Sequence, residues 1–300
     1  MGYLTNFSGF NEQFQQVFNS KFEMSAEIQL FKNLKIDLNA NRNYSNNYSE
    51  NFRVDNNNYE ILNPNFYGNF SISSNMLKTS FDKKSIDQSD SFDNMKENLK
   101  IISLRLINQK GINNIEFDAQ GYPIGFSQNS QEVLVPAFIS AYTGNNANSV
   151  GLNPISDKPK INWSIQYDGL SEGLKDIFSR ISLRHSYRSN FTINNFQSNL
   201  NYSENSFNSV GDYESKIFFS NINLVEQFNP LIRVDLELKN SLRLSFDVIK
   251  DRAVSLSLAN NLITESWGDE YSIGIGYRAR NLKLWSRFAS TGNRLSLIHI

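Results

Sequence analysis

Polar and apolar residues change places at every second position through most of this chain. A period of two belongs to an extended strand with one apolar and one polar face. Phe22, Met24, Ala26, Ile28 and Leu30 form the first apolar row, with Glu23, Ser25, Glu27 and Gln29 between them. After Lys32-Asn33 the pattern resumes with Leu34, Ile36, Leu38 and Ala40. It returns at Ile161, Trp163, Ile165 and Tyr167, and at Ile181, Leu183, His185 and Tyr187. The last third is denser: Ile232, Val234, Leu236, Leu238; Leu242, Leu244, Phe246, Val248; Val254, Leu256, Leu258; and Tyr271, Ile273, Ile275, Tyr277. Turn residues at Lys239-Asn240, Lys250-Asp251 and Arg280-Asn281 predict tight hairpins, hence an antiparallel meander. Several runs reach ~9 to 11 residues, enough to cross a bilayer when tilted.

A soluble sandwich and a membrane barrel both alternate, so the choice rests on what the two faces carry. Three features favour an all-β fold of up-and-down transmembrane barrel strands. The polar face is charged: Arg233, Asp235 and Glu237 alternate with the apolar set, Arg243 and Asp247 continue it, and Arg180, Arg184 and Arg188 share a face with Ser182 and Ser186. Aromatics (Tyr44, Tyr48, Phe66, Tyr67, Phe70, Trp267, Tyr271, Tyr277, Trp285) gather toward the expected strand ends, as in interfacial girdles. Long Asn-rich loops are expected at 41–58 and 194–209, in a chain with 43 Asn. A sandwich with a solvated face reproduces the first feature, so the pattern alone leaves both architectures open. No stretch approaches the ~18 apolar residues of a spanning helix, which excludes a helical membrane protein but not a barrel.

One region breaks the alternation. Phe92, Met95, Leu99, Ile102 and Leu106 recur at three and four, which predicts an amphipathic helix over 92–109 inside an inserted segment, 82–158. The second half of that insertion, with Gly121-Tyr122-Pro123 and Val135-Pro136, reads as irregular. The helix is expected on the rim of the barrel or in its mouth.

The residues give catalysis little support. The chain has two His and no Cys, so thiolate metal sites and disulfides are out of reach. His185 has no carboxylate or second His nearby in sequence to orient it. No Asp-rich loop has calcium spacing, and Gly274 and Gly276 lie within a strand pattern where they make room for a neighbour. A formal net charge of −1 argues against a nucleic-acid partner. Catalytic, cofactor and metal sites are therefore expected to be absent. The one constellation singled out is the set Arg180, Arg184, Arg188, Arg233, Asp235, Glu237, Arg243 and Asp247, as candidates for lining an aqueous bore. For the arginines the alternative is pairing with acidic residues on adjacent strands.

Six segments carry a family resemblance: 63–70 (NPNFYGNF), 162–170 (NWSIQYDGL), 183–192 (LRHSYRSNFT), 225–234 (VEQFNPLIRV), 256–262 (LSLANNL) and 273–278 (IGIGYR). In order and combination they resemble the C-terminal part of the SprA (Sov) family, the outer-membrane translocon of type 9 secretion and gliding motility in Bacteroidota. The resemblance implies an arc of a very large barrel, one of ~36 strands. It implies a non-enzymatic wall of a channel that exports folded cargo proteins, set in outer-membrane lipid. It also implies two partners, a plug protein on the periplasmic side and a smaller shuttle β-barrel. Family members are several times longer and carry an N-terminal signal, so the chain is expected to be a fragment, with 1–294 belonging to the barrel. Residues 295–300 (LSLIHI) resemble the translation of a common sequencing adapter and are expected to be a non-native tail. Two other classes fit the pattern: an ordinary outer-membrane receptor or porin-like barrel, and a soluble β-rich surface adhesin.

Overall fold

The computed structural model describes residue 7 and residues 11–278 apart from 57, 86 and 157. The Arg280-Asn281 turn, Trp285 and the 295–300 tail lie outside the described residues. Nine strands make one antiparallel sheet: β1 (Asn11–Phe31), β2 (Leu34–Asp55), β3 (Asn58–Ser73), β4 (Asn162–Tyr167), β5 (Phe178–Ser198), β6 (Ile217–Phe219), β7 (Asn221–Leu238), β8 (Leu242–Ser257) and β9 (Leu262–Tyr277). The order is β1-β2-β3-β5-β7-β8-β9, with β4 between β2 and β5 and β6 beside β5. The fold is the all-β antiparallel meander that the alternation predicts. Among the described residues the sheet is open, with β1 and β9 at its edges.

The strands are longer than the runs that announce them. β2 has 22 residues, about 70 Å of extended chain at ~3.3 Å per residue. Two expected breaks are absent. Lys250-Asp251 is not a turn: it lies inside β8, where Lys250 pairs with Phe228 and Asp269. The expected loop at 41–58 is mostly strand, because residues 41–55 belong to β2. There Asn41, Asn43, Asn47 and Asn51 alternate on one face, so the asparagines mark a polar surface and not a turn. The 194–209 segment is strand as far as Ser198 and loop beyond it. The Lys239-Asn240 hairpin forms, with Ser241 in the left-handed region at φ 68°.

β3 and β4 occupy one strand position. Both are antiparallel to β2 and to β5, with β3 pairing the far half of each and β4 the near half. The intervening residues 74–161 leave the sheet and return to it in mid-strand. They contain two helices, α1 (Asp90–Gln109) and α2 (Gln131–Thr143), where the sequence predicts one. α1 starts two residues earlier than its apolar spacing predicts, because the Ser89 hydroxyl accepts the Phe92 N–H as its cap. α2 was hidden by Pro136 and by its own burial. Val133, Leu134, Val135, Ala137, Phe138, Ala141 and Tyr142 are all buried, so it has no polar face to mark a period.

The helices pack on one face of the far half of the sheet. Met95, Leu99 and Ile102 of α1 and Val133 and Phe138 of α2 share a core with Phe70 and Ile72 (β3), Phe191 and Ile193 (β5), Ile222 and Leu224 (β7) and Val254 and Leu256 (β8). Phe196 stacks on Tyr44 with centroids 5.8 Å apart. A Cβ at Gly68 would come within 2.6 Å of the Phe196 ring, so β3 needs glycine there. Tyr44, Phe66 and Phe70 thus belong to the packing beneath the insertion and not to an interfacial girdle.

Candidate functional site

Residues paired across antiparallel strands share a face, and the register sorts the whole sheet into two. One face is predominantly polar, although Val17, Tyr67, Phe218, Val225 and Ile249 also lie on it. β1 contributes Gln15, Asn19, Lys21, Glu23, Ser25 and Glu27, and β2 contributes Lys35, Asp37, Asn39, Asn41, Asn43, Ser45 and Asn47. β5, β7 and β8 place all eight sequence-predicted residues on this same face. Arg180 pairs with Glu237 and Glu237 with Arg243; Arg184 pairs with Arg233 and Arg233 with Asp247; Asp235 lies between Ser182 and Ser245. Arg188 stands opposite Gln227, beyond an irregularity around Pro230, which cannot donate to the ladder.

Six of the eight, Arg180, Arg184, Arg233, Asp235, Glu237 and Arg243, line one shallow hollow with Ser245, Gly274 and Gly276. Arg188 and Asp247 lie outside it. Ion pairing accounts for part of this set, across strands for Arg233–Asp247 and Arg243–Glu237, within β7 for Arg233–Asp235 and to a connection for Arg180–Asp168. Arg233 reaches Asp235 at 3.0 Å and Asp247 at 3.4 Å, Arg243 reaches Glu237 at 3.3 Å, and Arg180 is 3.8 Å from Asp168. Among the described residues no carboxylate lies within ion-pair range of Arg184 or Arg188. Arg184 therefore faces Arg233, a like charge already held by two aspartates.

The other face is apolar but not uniform. Beneath α1 and α2 it is core. In the near half it is open over most of the sheet: Met24, Ala26 and Ile28 on β1, Leu34, Ile36 and Leu38 on β2, and Trp163 and Ile165 on β4 continue into Leu183, Val234, Leu236, Leu244, Phe246, Ile273 and Ile275, while Ile181 in the same rows is buried. Phe246 on an inner strand is 41% exposed, and Ile273 on the edge is 77% exposed. The exposed apolar belt is a few rows tall and crosses the near half of the sheet from β1 to β9, with β4 in the place of β3.

A charged row separates belt from core, and the sequence reading missed it. Glu226, Arg252 and Glu265 hold apolar-face positions in β7, β8 and β9, where a charge reads as an interruption of the strand. Glu226 and Arg252 are 2% and 3% exposed. Arg252 donates to Glu265 at 2.8 Å, to the Thr79 carbonyl at 3.0 Å and to the Ser91 hydroxyl at 3.0 Å. Glu226 accepts from Ser80 at 2.6 Å and from Tyr187 at 3.0 Å, and Ser89 donates to Glu265 at 2.9 Å. Each bond between 79–91 and a strand here ties the insertion to the sheet. Lys84 sits over the row with its pKa lowered by burial and by the charges of Arg252 and Lys250. His185 points its Nδ1 at the Leu231 carbonyl and packs near Trp163 and Phe228. Among the described residues no three His, Asp or Glu side chains come together as metal ligands would. No family model matches the chain, and no curated protein is similar to it.

Proposed function

We propose that this chain is part of the wall of an outer-membrane β-barrel, and specifically of the protein-conducting channel of a type 9 secretion system. The observation that carries the membrane reading is the open apolar belt opposite a predominantly polar face. A soluble sandwich would cover that belt with a second sheet, because an exposed apolar area of this extent associates or aggregates in water. In a barrel wall the belt meets acyl chains and the polar face meets the water-filled bore. A belt row occurs every second residue, so four rows span seven residues, roughly 23 Å along the strand. A strand tilt of ~35–45° reduces this to roughly 16–19 Å of height, about two-thirds to three-quarters of the ~25 Å apolar band of outer-membrane barrels.

Tight turns occur at both ends of the sheet, since β2–β3 and β8–β9 also connect closely. The belt end carries the 168–177 connection as well, so we assign sidedness from the longest connections. The belt adjoins the end where β1–β2 turns in residues 32–33 and β7–β8 turns in residues 239–241. The insertion and the 199–220 connection lie toward the other end. Long loops face outward in bacterial barrels, so the half that carries the insertion and the 199–220 connection is assigned to the cell exterior. The helices then cover the outer wall above the membrane and not the bore.

The polar face carries mainly hydrogen-bonding Asn, Ser and Gln with charges both paired and unpaired, a surface that offers a passing protein little apolar adhesion. The channel assignment, its folded cargo, its plug and its shuttle barrel rest on the family resemblance of the six segments. Two experiments test this reading. The purified chain is expected to be monodisperse only with an amphiphile, and monodispersity in plain buffer would overturn the membrane wall. In the source bacterium, deleting the gene region that encodes β5–β9 is expected to abolish release of secreted proteins; unchanged secretion would overturn the channel and leave a porin-like barrel.

A further inference from the structure

The insertion is joined to the sheet by two crossings, and both run along the upper edge of the belt. On the outgoing side Met76 N donates to Tyr187, Thr79 and Ser80 meet Arg252 and Glu226, and the Phe81 ring lies 5.7 Å from Phe228. Phe228 pairs with Lys250, and the next pair below is Ile232 with Val248, the first row of the belt. On the returning side Ser156 accepts from Arg42, and Lys160 N bonds the Ser73 carbonyl just before β4 enters the belt at Trp163. Phe81 is 64% exposed although it sits on apolar neighbours, and Ile161 is 44% exposed. Lys78, Lys83, Lys158 and Lys160 are all exposed on these same crossings. Exposed apolar side chains directly above a belt, beside flexible ammonium groups, match the level where acyl chains give way to phosphates.

We propose that these two crossings form a shelf that binds the phosphate groups of anionic outer-leaflet lipid, with Lys83, Lys158 and Lys160 contacting phosphate and Phe81 inserted among the upper acyl carbons. The shelf rests on the membrane-wall reading, and its partner is a lipid surface because the apolar anchor and the cations act at one depth. Arg252 and Lys250 take no part, since each is held by a carboxylate, Glu265 and Asp269 respectively.

Co-flotation of the full chain with vesicles tests it. Neutral phosphatidylcholine vesicles are compared with vesicles that carry phosphatidylglycerol as the anionic fraction. The unaltered chain is expected to bind the anionic vesicles about tenfold more tightly, since each lysine near an anionic surface contributes modestly. The preference is expected to vanish at high salt. The combined Lys83→Gln, Lys158→Gln and Lys160→Gln variant is expected to bind both vesicle types alike, at the affinity of the unaltered chain for neutral ones. A control with Lys21→Gln on the polar face and Lys216→Gln at the far end is expected to keep the preference. Equal binding of the unaltered chain to both vesicles, or a triple variant that keeps the preference, overturns the shelf and leaves the belt standing. Failure to bind either vesicle overturns the membrane wall and the shelf together.

Discussion

Arg252 and Glu265 form an ion pair at 2.8 Å on the apolar face of the sheet, with side chains only 3% and 10% exposed. Burying a charge is tolerated when its partner and remaining donors are satisfied, and here Thr79 and Ser91 complete the guanidinium. Arg252→Met is expected to cost roughly 3–5 kcal/mol, because it strands Glu265 under the insertion. The double variant Arg252→Met/Glu265→Leu is expected to recover much of that loss, since neither charge is then buried alone. Urea unfolding in detergent micelles measures both. Equal losses would mean that the pair is not what joins insertion and sheet.

The two faces predict opposite tolerances at adjacent residues. Leu236 lies in the belt between Ile181 and Leu244, whereas Glu237 lies on the polar face between Arg180 and Arg243. Leu236→Arg is expected to cost roughly 2–4 kcal/mol in a bilayer. Glu237→Arg loses one partly exposed ion pair and sets three arginines side by side on a solvated face, and is expected to cost less than Leu236→Arg, about 1–2 kcal/mol. Folding titrations into vesicles give both values. Equal sensitivity would show that the faces are assigned wrongly.

The alternation made the strand directions and the facing of all eight bore candidates legible, because period two survives whatever the strand packs against. It could not show strand length. Lys250 and Arg252 fall on the apolar parity of β8, and a charge there looks like a turn until Asp269, Glu265 and the insertion supply partners. Asn41 to Asn51 misled in the other direction, since asparagine is a turn former by propensity and here lines a polar face. α2 lacked both signals used to find helices, having no polar face and a proline at its sixth position. The covering of the far half was invisible because Phe191, Leu224 and Val254 alternate just as Leu183, Val234 and Phe246 do. Only tertiary structure tells an apolar row under helices from a bare one.

Glu132, in the first turn of α2, gives a pH-dependent prediction. Burial, the largest influence, raises its carboxyl above the ordinary 4.5, with Lys110 opposing and Asp212 adding to the shift. A carboxyl whose folded pKa lies above its unfolded pKa binds more protons when folded, so stability falls as pH rises through that window. Glu132→Gln is expected to raise the urea midpoint at pH ~7, where the buried charge is fully felt, and to change it little at pH ~4, where both states are largely protonated. A gain of equal size at both pH values would locate the effect elsewhere.

The register around the insertion makes a sharper prediction about how the chain was built. Ser73 pairs with Asn190, and Trp163 pairs with Tyr187. On the β2 side Ile72 pairs with Arg42 and Asn162 with Asn39. Counting inward from both ends leaves one vacant position, opposite Ala40 on β2 and Ser189 on β5. Ser74 already fills it, with its N–H on the Ser189 carbonyl at 2.9 Å. Joining Ser74 directly to Asn162 should therefore restore an unbroken strand in the register of β3 and β4. Because the chain has no cysteine, Ile36→Cys and Ile165→Cys report that register by forming a cross-link between β2 and β4. The cross-link is expected in the spliced chain as in the full one. The spliced chain should also be less stable, since uncovering Phe191, Leu224 and Val254 forfeits roughly 1.5–3 kcal/mol for each fully exposed side chain. Loss of the cross-link in the spliced chain alone would show that the insertion sets the register of the wall instead of resting on it.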